Sequence, residues 1–131
     1  MRKLRGLAVL TATAALVGGG MVSSGEAQAA TCYGGATPFN KEDHSRYFPG
    51  QNHAWITASS RCSDLNIKVT NSGAYVRWCW ETGYTQWDCA DTWKWAPKNT
   101  WKVLATNVRD GTNMKVEFKE VDPVYKGYLA T

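Results

Sequence analysis

Seven tryptophans lie within one 47-residue stretch of this 131-residue chain. A buried aromatic side chain hides roughly 150–250 Å², so seven indoles require about 1,000–1,750 Å² of cover. A small domain has difficulty supplying that much cover, and the surplus predicts that one or more indoles face solvent or a partner. The alternative is that all seven serve core and disulfide packing. They are Trp55, Trp78, Trp80, Trp87, Trp93, Trp95 and Trp101.

The first 30 residues match the pattern of a secretory signal peptide. A basic start at Arg2–Arg5 is followed by an apolar run over Leu7–Val17 and by the small-x-small sequence Ala27–Ala29. The apolar run is shorter than the ~20 residues that cross a bilayer. We therefore expect a secreted, extracellular protein whose mature part, residues 31–131, is a single all-β domain that does not insert into a membrane.

The charge of the mature part argues against one class of partner. Three of the 15 Lys and Arg and one of the 11 Asp and Glu lie in the first 30 residues, which leaves 12 basic and 10 acidic residues and a net charge of +2. No run of Lys or Arg remains to contact phosphates. We therefore expect no nucleic-acid partner.

All four cysteines, Cys32, Cys62, Cys79 and Cys89, lie in the mature part. An even number in a small exported domain predicts two disulfides, and four cysteines allow three pairings. If Cys79 and Cys89 are cross-strand partners, Cys32 is left to pair with Cys62, but the sequence does not choose among the three. Spacings of 29, 16 and 9 intervening residues lack a close zinc-binding pair, so we expect no metal and no cofactor.

Short alternating segments separated by turn signals are typical of a small all-β sandwich or barrel. We expect about six to seven antiparallel strands, tied by the disulfides and preceded by an irregular strap over residues 31–53. The cleanest alternation is Leu65–Thr70, and Asn71–Gly73 predicts a hairpin loop leading to a strand over Ala74–Glu81. Further strands are expected over residues 54–58, 85–95, 101–108, 113–119 and, as an edge strand, 124–129.

The two predicted hairpins determine which side chains share a face. A loop at Asn71–Gly73 places Leu65 opposite Cys79, and pairing of Cys79 with Cys89 then places Arg77 opposite Asp91. A two-residue turn at Gly83-Tyr84 is an alternative that needs a bulge to keep the two cysteines aligned. The predicted core face is apolar apart from the Arg77–Asp91 ion pair. It collects Leu65, Ile67, Val69, Tyr75, Cys79, Cys89, Trp87, Trp93 and Trp95.

The opposite face predicts a binding site built on Trp78 and Trp80. The apolar face of a pyranose stacks on an indole, while hydroxyls need donors and acceptors at its edge. The same arrangement suits a protein hot spot, and a second sheet, the strap or a shifted register are alternatives that would cover both indoles. The predicted ligand-binding residues are Trp78, Trp80, Asp64, Asn66, Lys68 and Asp88.

Candidate catalytic groups are few. The consecutive residues Asp43, His44 and Ser45 cannot converge as a nucleophile, base and orienting group, so we expect no catalytic residues. The carboxylates of Asp64 and Asp88 both flank Trp80 in the predicted register, which leaves a small glycoside hydrolase open.

These patterns favour a secreted, non-catalytic protein that binds cell-wall or environmental polysaccharide. The alternative is a small secreted inhibitor or toxin-like protein that acts on another protein, such as an extracellular hydrolase, through Glu81–Gln86 or Arg109–Asn113. The all-β, two-disulfide secreted design is similar in outline to small exported amylase inhibitors, without a motif that assigns the chain to a family. A monomer and a dimer that buries the Trp pair both stay open.

Overall fold

The computed structural model describes residues 31–131, which form two antiparallel β-sheets around a common core. The all-β, disulfide-tied sandwich predicted from the sequence is confirmed. The predicted signal peptide, residues 1–30, lies outside the described residues. The strands are β1 Thr37–Lys41, β2 Tyr47–Phe48, β3 Ile56–Thr57, β4 Leu65–Val69, β5 Ala74–Gly83, β6 Gln86–Cys89, β7 Lys94–Ala96, β8 Trp101–Ala105, β9 Asn113–Phe118 and β10 Tyr125–Ala130.

Residues 31–131 contain ten strands where six to seven were predicted, because one predicted segment is divided and the predicted irregular strap contains strands. The segment 85–95 contains both β6 and β7, and the strap at 31–53, which was predicted to be irregular, contains β1 and β2. No helix within residues 31–131 is long and apolar enough to cross a membrane.

Sheet I is built around the central pair β5 and β9. The far edge of β9 pairs with β2 and β3, and the far edge of β5 pairs with β6 and β7. In β5, Cys79 lies opposite Cys89, whereas Val76 lies opposite Lys94. The register therefore shifts by two residues, and the extra residues loop out between β6 and β7.

Sheet II has the order β1-β10-β4-β8. The predicted edge strand is wrong, since β10 is central and pairs with both β1 and β4. The predicted hairpin between β4 and β5 is also wrong. Asn71 accepts a hydrogen bond from the Lys126 amide at 2.9 Å and donates to the Val124 carbonyl at 2.9 Å, so the chain is held on β10 before it crosses to sheet I.

The structure decides between the three cysteine pairings that the sequence left open. Cys79 bonds to Cys89 across β5 and β6, and Cys32 bonds to Cys62. A bulge between Glu81 and Gly83 keeps the two strand cysteines opposite each other although the turn has only two residues, Tyr84 and Thr85. The turn is thus one residue later than the predicted alternative at Gly83-Tyr84, and the bulge that this alternative needed is present.

The core between the sheets contains aliphatic side chains, Phe39, Phe118 and Tyr125, but no buried indole. Trp95 is exposed and the other six tryptophans are partly buried. The predicted surplus of indoles is thus confirmed.

Alternation along β5 decides where its indoles lie. Val76 is fully buried in the core and Trp78 packs against that core, whereas Tyr75 on the opposite face is exposed. The predicted core face is therefore wrong for sheet I, because it rested on pairing β4 with β5. The predicted core residues that instead belong to the outer side of sheet I are Tyr75, Cys79, Cys89, Trp87, Trp93 and Trp95.

Lys115 lies on this outer side and is fully buried. Its ammonium donates to the carbonyls of Pro49, Gln51 and Ala54 at 2.8 Å each. It also lies 4.9 Å from the ring centroid of Trp55 and 5.0 Å from that of Trp87. Burial lowers the pKa of Lys115, and the carbonyls and aromatic faces replace the water that its charge has lost.

Arg77 is the second cation on the outer side. Its Nε donates to Glu117 Oε1 at 2.7 Å, and its guanidinium carbon lies 4.4 Å from the Trp93 ring centroid. The predicted partner Asp91 is wrong, because the register shift between β6 and β7 moves it out of line and leaves it exposed. Arg77 is instead paired with Glu117 across β5 and β9, which satisfies both charges on the outer side of sheet I.

Lys115→Met is expected to destabilise the fold by about 3 kcal/mol, because the carbonyls of Pro49, Gln51 and Ala54 lose a charged donor that is itself buried. Urea unfolding followed by tryptophan fluorescence measures this change. Lys126→Met, an exposed strand residue, is the matched control and should change the free energy of unfolding by less than about 0.5 kcal/mol. Equal stability of the two variants would show that the Lys115 ammonium does not hold residues 49–54.

Candidate functional site

Trp78 and Trp80 lie together beyond the edge of the core and line a pocket of about 260 Å³. Their ring centroids are 4.7 Å apart and the ring planes are tilted by 38°. Both side chains project from the inner face of β5, and the segment between β8 and β9 forms the rest of the wall. We call this cavity the end pocket. It is lined by Trp78, Trp80, Glu81, Thr106, Asn107, Val108, Arg109 and Thr112.

The end pocket combines apolar walls with polar groups. Arg109 supplies a positive charge, and the hydroxyls of Thr106 and Thr112 supply donors and acceptors. Glu81 lies at the rim, but its carboxylate is on the outer face of β5, where Oε1 accepts a hydrogen bond from Asn113 Nδ2 at 3.0 Å. A few polar groups around an apolar surface are typical of sites for small ligands.

The Trp78 indole Nε1 is a buried donor that has no acceptor among the described residues. Because this nitrogen is buried, it is not part of the surface that the end pocket presents to a ligand.

The loop that completes the pocket is fixed by hydrogen bonds to neighbouring segments. The Val108 amide donates to the Ser63 carbonyl at 2.8 Å, and the Gly111 amide donates to the Ala58 carbonyl at 2.8 Å. Asn107 has a left-handed backbone, with φ of 54°, and its amide donates to Asp64 Oδ1 at 3.2 Å. The pocket is therefore largely formed before any ligand enters.

The structure brings together some of the predicted site residues. Trp78 and Trp80 line one cavity, and Asp88 lies opposite Trp80 on β6 and is exposed. Asp64 lies behind the pocket wall, where it accepts the Asn107 amide, so its role is to position the loop.

Asn66 and Lys68 do not join this site, and their predicted grouping with the two indoles is wrong. They lie on β4, which pairs with β10 and β8 and not with β5. Asn66 is buried and donates to the Ala130 carbonyl at 3.2 Å. The Lys68 ammonium lies 5.8 Å from the ring centroid of Trp101.

The sequence predicted Arg109–Asn113 as a contact loop for an inhibitor, but it did not predict that residues 106–112 form one pocket with the two indoles. Contacts between residues about 30 positions apart leave no local signal. One signal was present in β5, where Ala74, Val76, Trp78 and Trp80 are uncharged while Arg77 and Glu81 fall on the alternate face. That difference favours the indole side as the inner face.

Two groups of side chains with metal-binding or catalytic residue types make structural contacts instead. Among residues 31–131, the one cluster with metal-ligand spacing joins Cys79, Cys89 and Glu117. Both sulfurs are in the disulfide, and Glu117 pairs with Arg77. In the Asp43-His44-Ser45 sequence, His44 Nδ1 lies 3.0 Å from Asp122 Oδ1, while the Ser45 hydroxyl donates to the Tyr47 carbonyl at 2.9 Å.

No protein-family model matches the chain, and searches of curated proteins and of solved structures find no significant similarity.

Asp64→Ala is expected to speed hydrogen exchange at the Asn107 amide and to lower stability by about 1 kcal/mol, because that amide loses its acceptor. Exchange measured by NMR tests this. Asp64→Asn keeps the Oδ1 acceptor and should stay close to wild type, and Asp91→Ala is an exposed control. An Asn107 amide that exchanges at the wild-type rate in Asp64→Ala would show that the carboxylate does not hold the loop.

Proposed function

We propose that this is a secreted, non-catalytic protein that binds polysaccharide through the end pocket. The observation that carries the proposal is the pair of indoles, Trp78 and Trp80, in contact on the wall of a pre-formed cavity with polar groups at its rim. The indole faces suit the apolar face of a pyranose. Arg109 and the two threonines supply the donors and acceptors that sugar hydroxyls need.

The tilt of the Trp78 and Trp80 rings bears on the class of polysaccharide. Planes inclined by 38° cannot both lie flat on the regular surface of a crystalline polymer. We therefore expect single chains or amorphous polymer to be bound in preference to crystalline polymer.

Secretion is the setting that suits this function. The basic and apolar start of the chain predicts export, and two disulfides are compatible with an oxidising compartment. The near balance of charge in residues 31–131 leaves polysaccharide and extracellular protein as the expected classes of partner.

Retention of oxidised residues 31–131 on amorphous chitin, amorphous cellulose and peptidoglycan tests the proposal. Trp80→Ala is expected to weaken binding by roughly thirtyfold, which corresponds to about 2 kcal/mol for loss of a central aromatic contact. Trp80 is preferred to Trp78 for this test because Trp78 packs against the core. Tyr128→Ala removes a ring that is 44% exposed elsewhere on the surface and is the control.

Binding of soluble oligosaccharides to the same variants, measured by calorimetry, completes the test. Retention of wild type together with weak binding by a folded Trp80→Ala variant supports the end pocket as the site. The proposal is wrong if wild type binds none of these polymers or their oligosaccharides.

A second candidate function, inhibition of an extracellular hydrolase, is favoured by Tyr84. This side chain is 82% exposed at the tip of the β5–β6 hairpin. The Cys79–Cys89 disulfide braces the hairpin, and the His53 ring lies 5.1 Å from the Tyr84 ring. A rigid, protruding aromatic residue matches the anchors that inhibitors place in a partner's cleft.

Inhibition assays with secreted glycoside hydrolases and proteases test this candidate. If one enzyme is inhibited, Tyr84→Ala is expected to weaken inhibition by at least about thirtyfold, while Trp80→Ala leaves it unchanged. Unchanged inhibition by Tyr84→Ala would remove the hairpin tip as the contact.

A further inference from the structure

The outer side of sheet I carries a second aromatic surface, on the face of β5 opposite to the end pocket. Tyr75 on β5 lies opposite Trp95 on β7, with ring centroids 4.9 Å apart. Their side chains are 46% and 48% exposed, and Trp95 is the most exposed of the seven tryptophans. We call this pair and the hollow of about 300 Å³ beside it the outer patch.

The rings of the outer patch are held in defined positions. Trp95 lies against Gly73 so closely that a Cβ at that residue would come within 2.4 Å of the indole. Tyr75 is held from another side, since the Lys119 ammonium lies 5.3 Å from its ring centroid and the Lys119 amide donates to the Tyr75 carbonyl at 3.0 Å. Glycine at position 73 thus allows an exposed indole to rest on the backbone.

As in the end pocket, polar side chains lie beside the aromatic rings of the outer patch. Glu120 and Ser72 line the hollow, and Lys119 stands over Tyr75. The patch therefore offers aromatic faces, a carboxylate, a hydroxyl and an ammonium, which together provide the stacking surface, acceptors and donors that a sugar requires. The ring planes are tilted by 56°, which again excludes a fit to a flat crystalline surface.

The two surfaces point away from each other. Trp78 and Trp80 are on the inner face of β5 and Tyr75 is on the outer face, so alternation separates their directions. Tyr75 and Trp80 are five residues apart, which is about 16 Å along an extended strand. Because β5 is paired on both edges, the sheet itself lies between the two surfaces, and a ligand that lies flat on one does not contact the other.

We propose that the outer patch is a second polysaccharide-binding surface and that the protein cross-links polysaccharide chains. This inference rests on the proposed function of the end pocket. Two sites on one rigid body, facing different directions, join separate chains or particles and increase retention on a polymer through avidity.

Clumping of fine suspensions of amorphous chitin, amorphous cellulose and peptidoglycan sacculi, followed by turbidity and settling, tests the inference. Wild type is expected to clump a polymer that retains it. Trp95→Ala and Trp80→Ala should each stay bound, at least about tenfold more weakly, and neither should clump the particles. Gly73→Ala, which displaces the Trp95 ring, is expected to behave as Trp95→Ala, and Tyr128→Ala as wild type. Thermal unfolding confirms that each variant is folded.

Each other outcome has a distinct meaning. If Trp95→Ala clumps particles as well as wild type, the second site is wrong while the end pocket stands. If Trp95→Ala abolishes retention completely and Trp80→Ala does not weaken it, the outer patch is the single site, and both the end-pocket proposal and cross-linking are wrong. Lack of retention of wild type on every polymer overturns both proposals.

Sedimentation velocity separates cross-linking by one molecule from cross-linking by a dimer. A monomeric wild type that clumps particles supports two sites on each chain. A wild-type dimer that Trp95→Ala converts to monomer would make the outer patch a contact between copies, and would overturn the inference.

Discussion

Three charged side chains on the outer side of β5 and β9 determine how sheet I is covered. Arg77, Lys115 and Glu117 stand on neighbouring strands, with Lys115 opposite Cys79 and Glu117 opposite Arg77. Removing such charges from water costs several kcal/mol per ion unless each finds a partner. Arg77 and Glu117 pair with each other, whereas the Lys115 ammonium has three carbonyls of residues 49–54 as acceptors. The buried Lys115 ammonium therefore requires the segment that precedes β3 to lie across sheet I.

Aromatic rings complete this cover. The faces of Trp55 and Trp87 lie on Lys115, and that of Trp93 lies on Arg77. On the other sheet, Trp101 lies near Lys68 and packs against Tyr33, with ring centroids 4.7 Å apart. Four of the seven indoles thus cover cations or polar side chains at the outer faces of the sheets. The remaining three are Trp78, Trp80 and Trp95, and they are the indoles that form the end pocket and the outer patch.

The residue patterns of single segments predicted one strand and the register of one hairpin. The alternation of Leu65–Val69 gave a strand with its apolar residues buried, and opposed cysteines at 79 and 89 gave the register of one hairpin. The hairpin predicted from Asn71–Gly73 was wrong, because a loop of this composition also suits a connection between two sheets. What decided between them was the bonding of Asn71 to the start of β10, more than 50 residues away. No short-range pattern contains that information.

The wrong pairing of β4 with β5 also limited which residues of the candidate site could be predicted. The choice of Trp78 and Trp80 depended on their spacing of two along one strand, which places them on one face in any register. The choice of Asn66 and Lys68 depended on β4 lying beside β5, and it failed with that pairing. Asp88 depended on the Cys79–Cys89 register, so it remained beside Trp80. Predictions within one strand or hairpin therefore survived, and those across sheets did not.

Both aromatic surfaces include side chains of β5, and this shared strand fixes their relative orientation. A flexible linker lets two binding modules search for nearby sites on one polymer chain, and their effective concentration depends on linker length. Here the connection is the strand itself, paired on both edges and braced by Cys79–Cys89. Because alternation fixes the two surfaces on opposite faces, neither surface can rotate toward a polymer chain at the other. Under the proposed cross-linking function, a rigid connection of this kind favours contact with two separate chains over a second contact on the same chain.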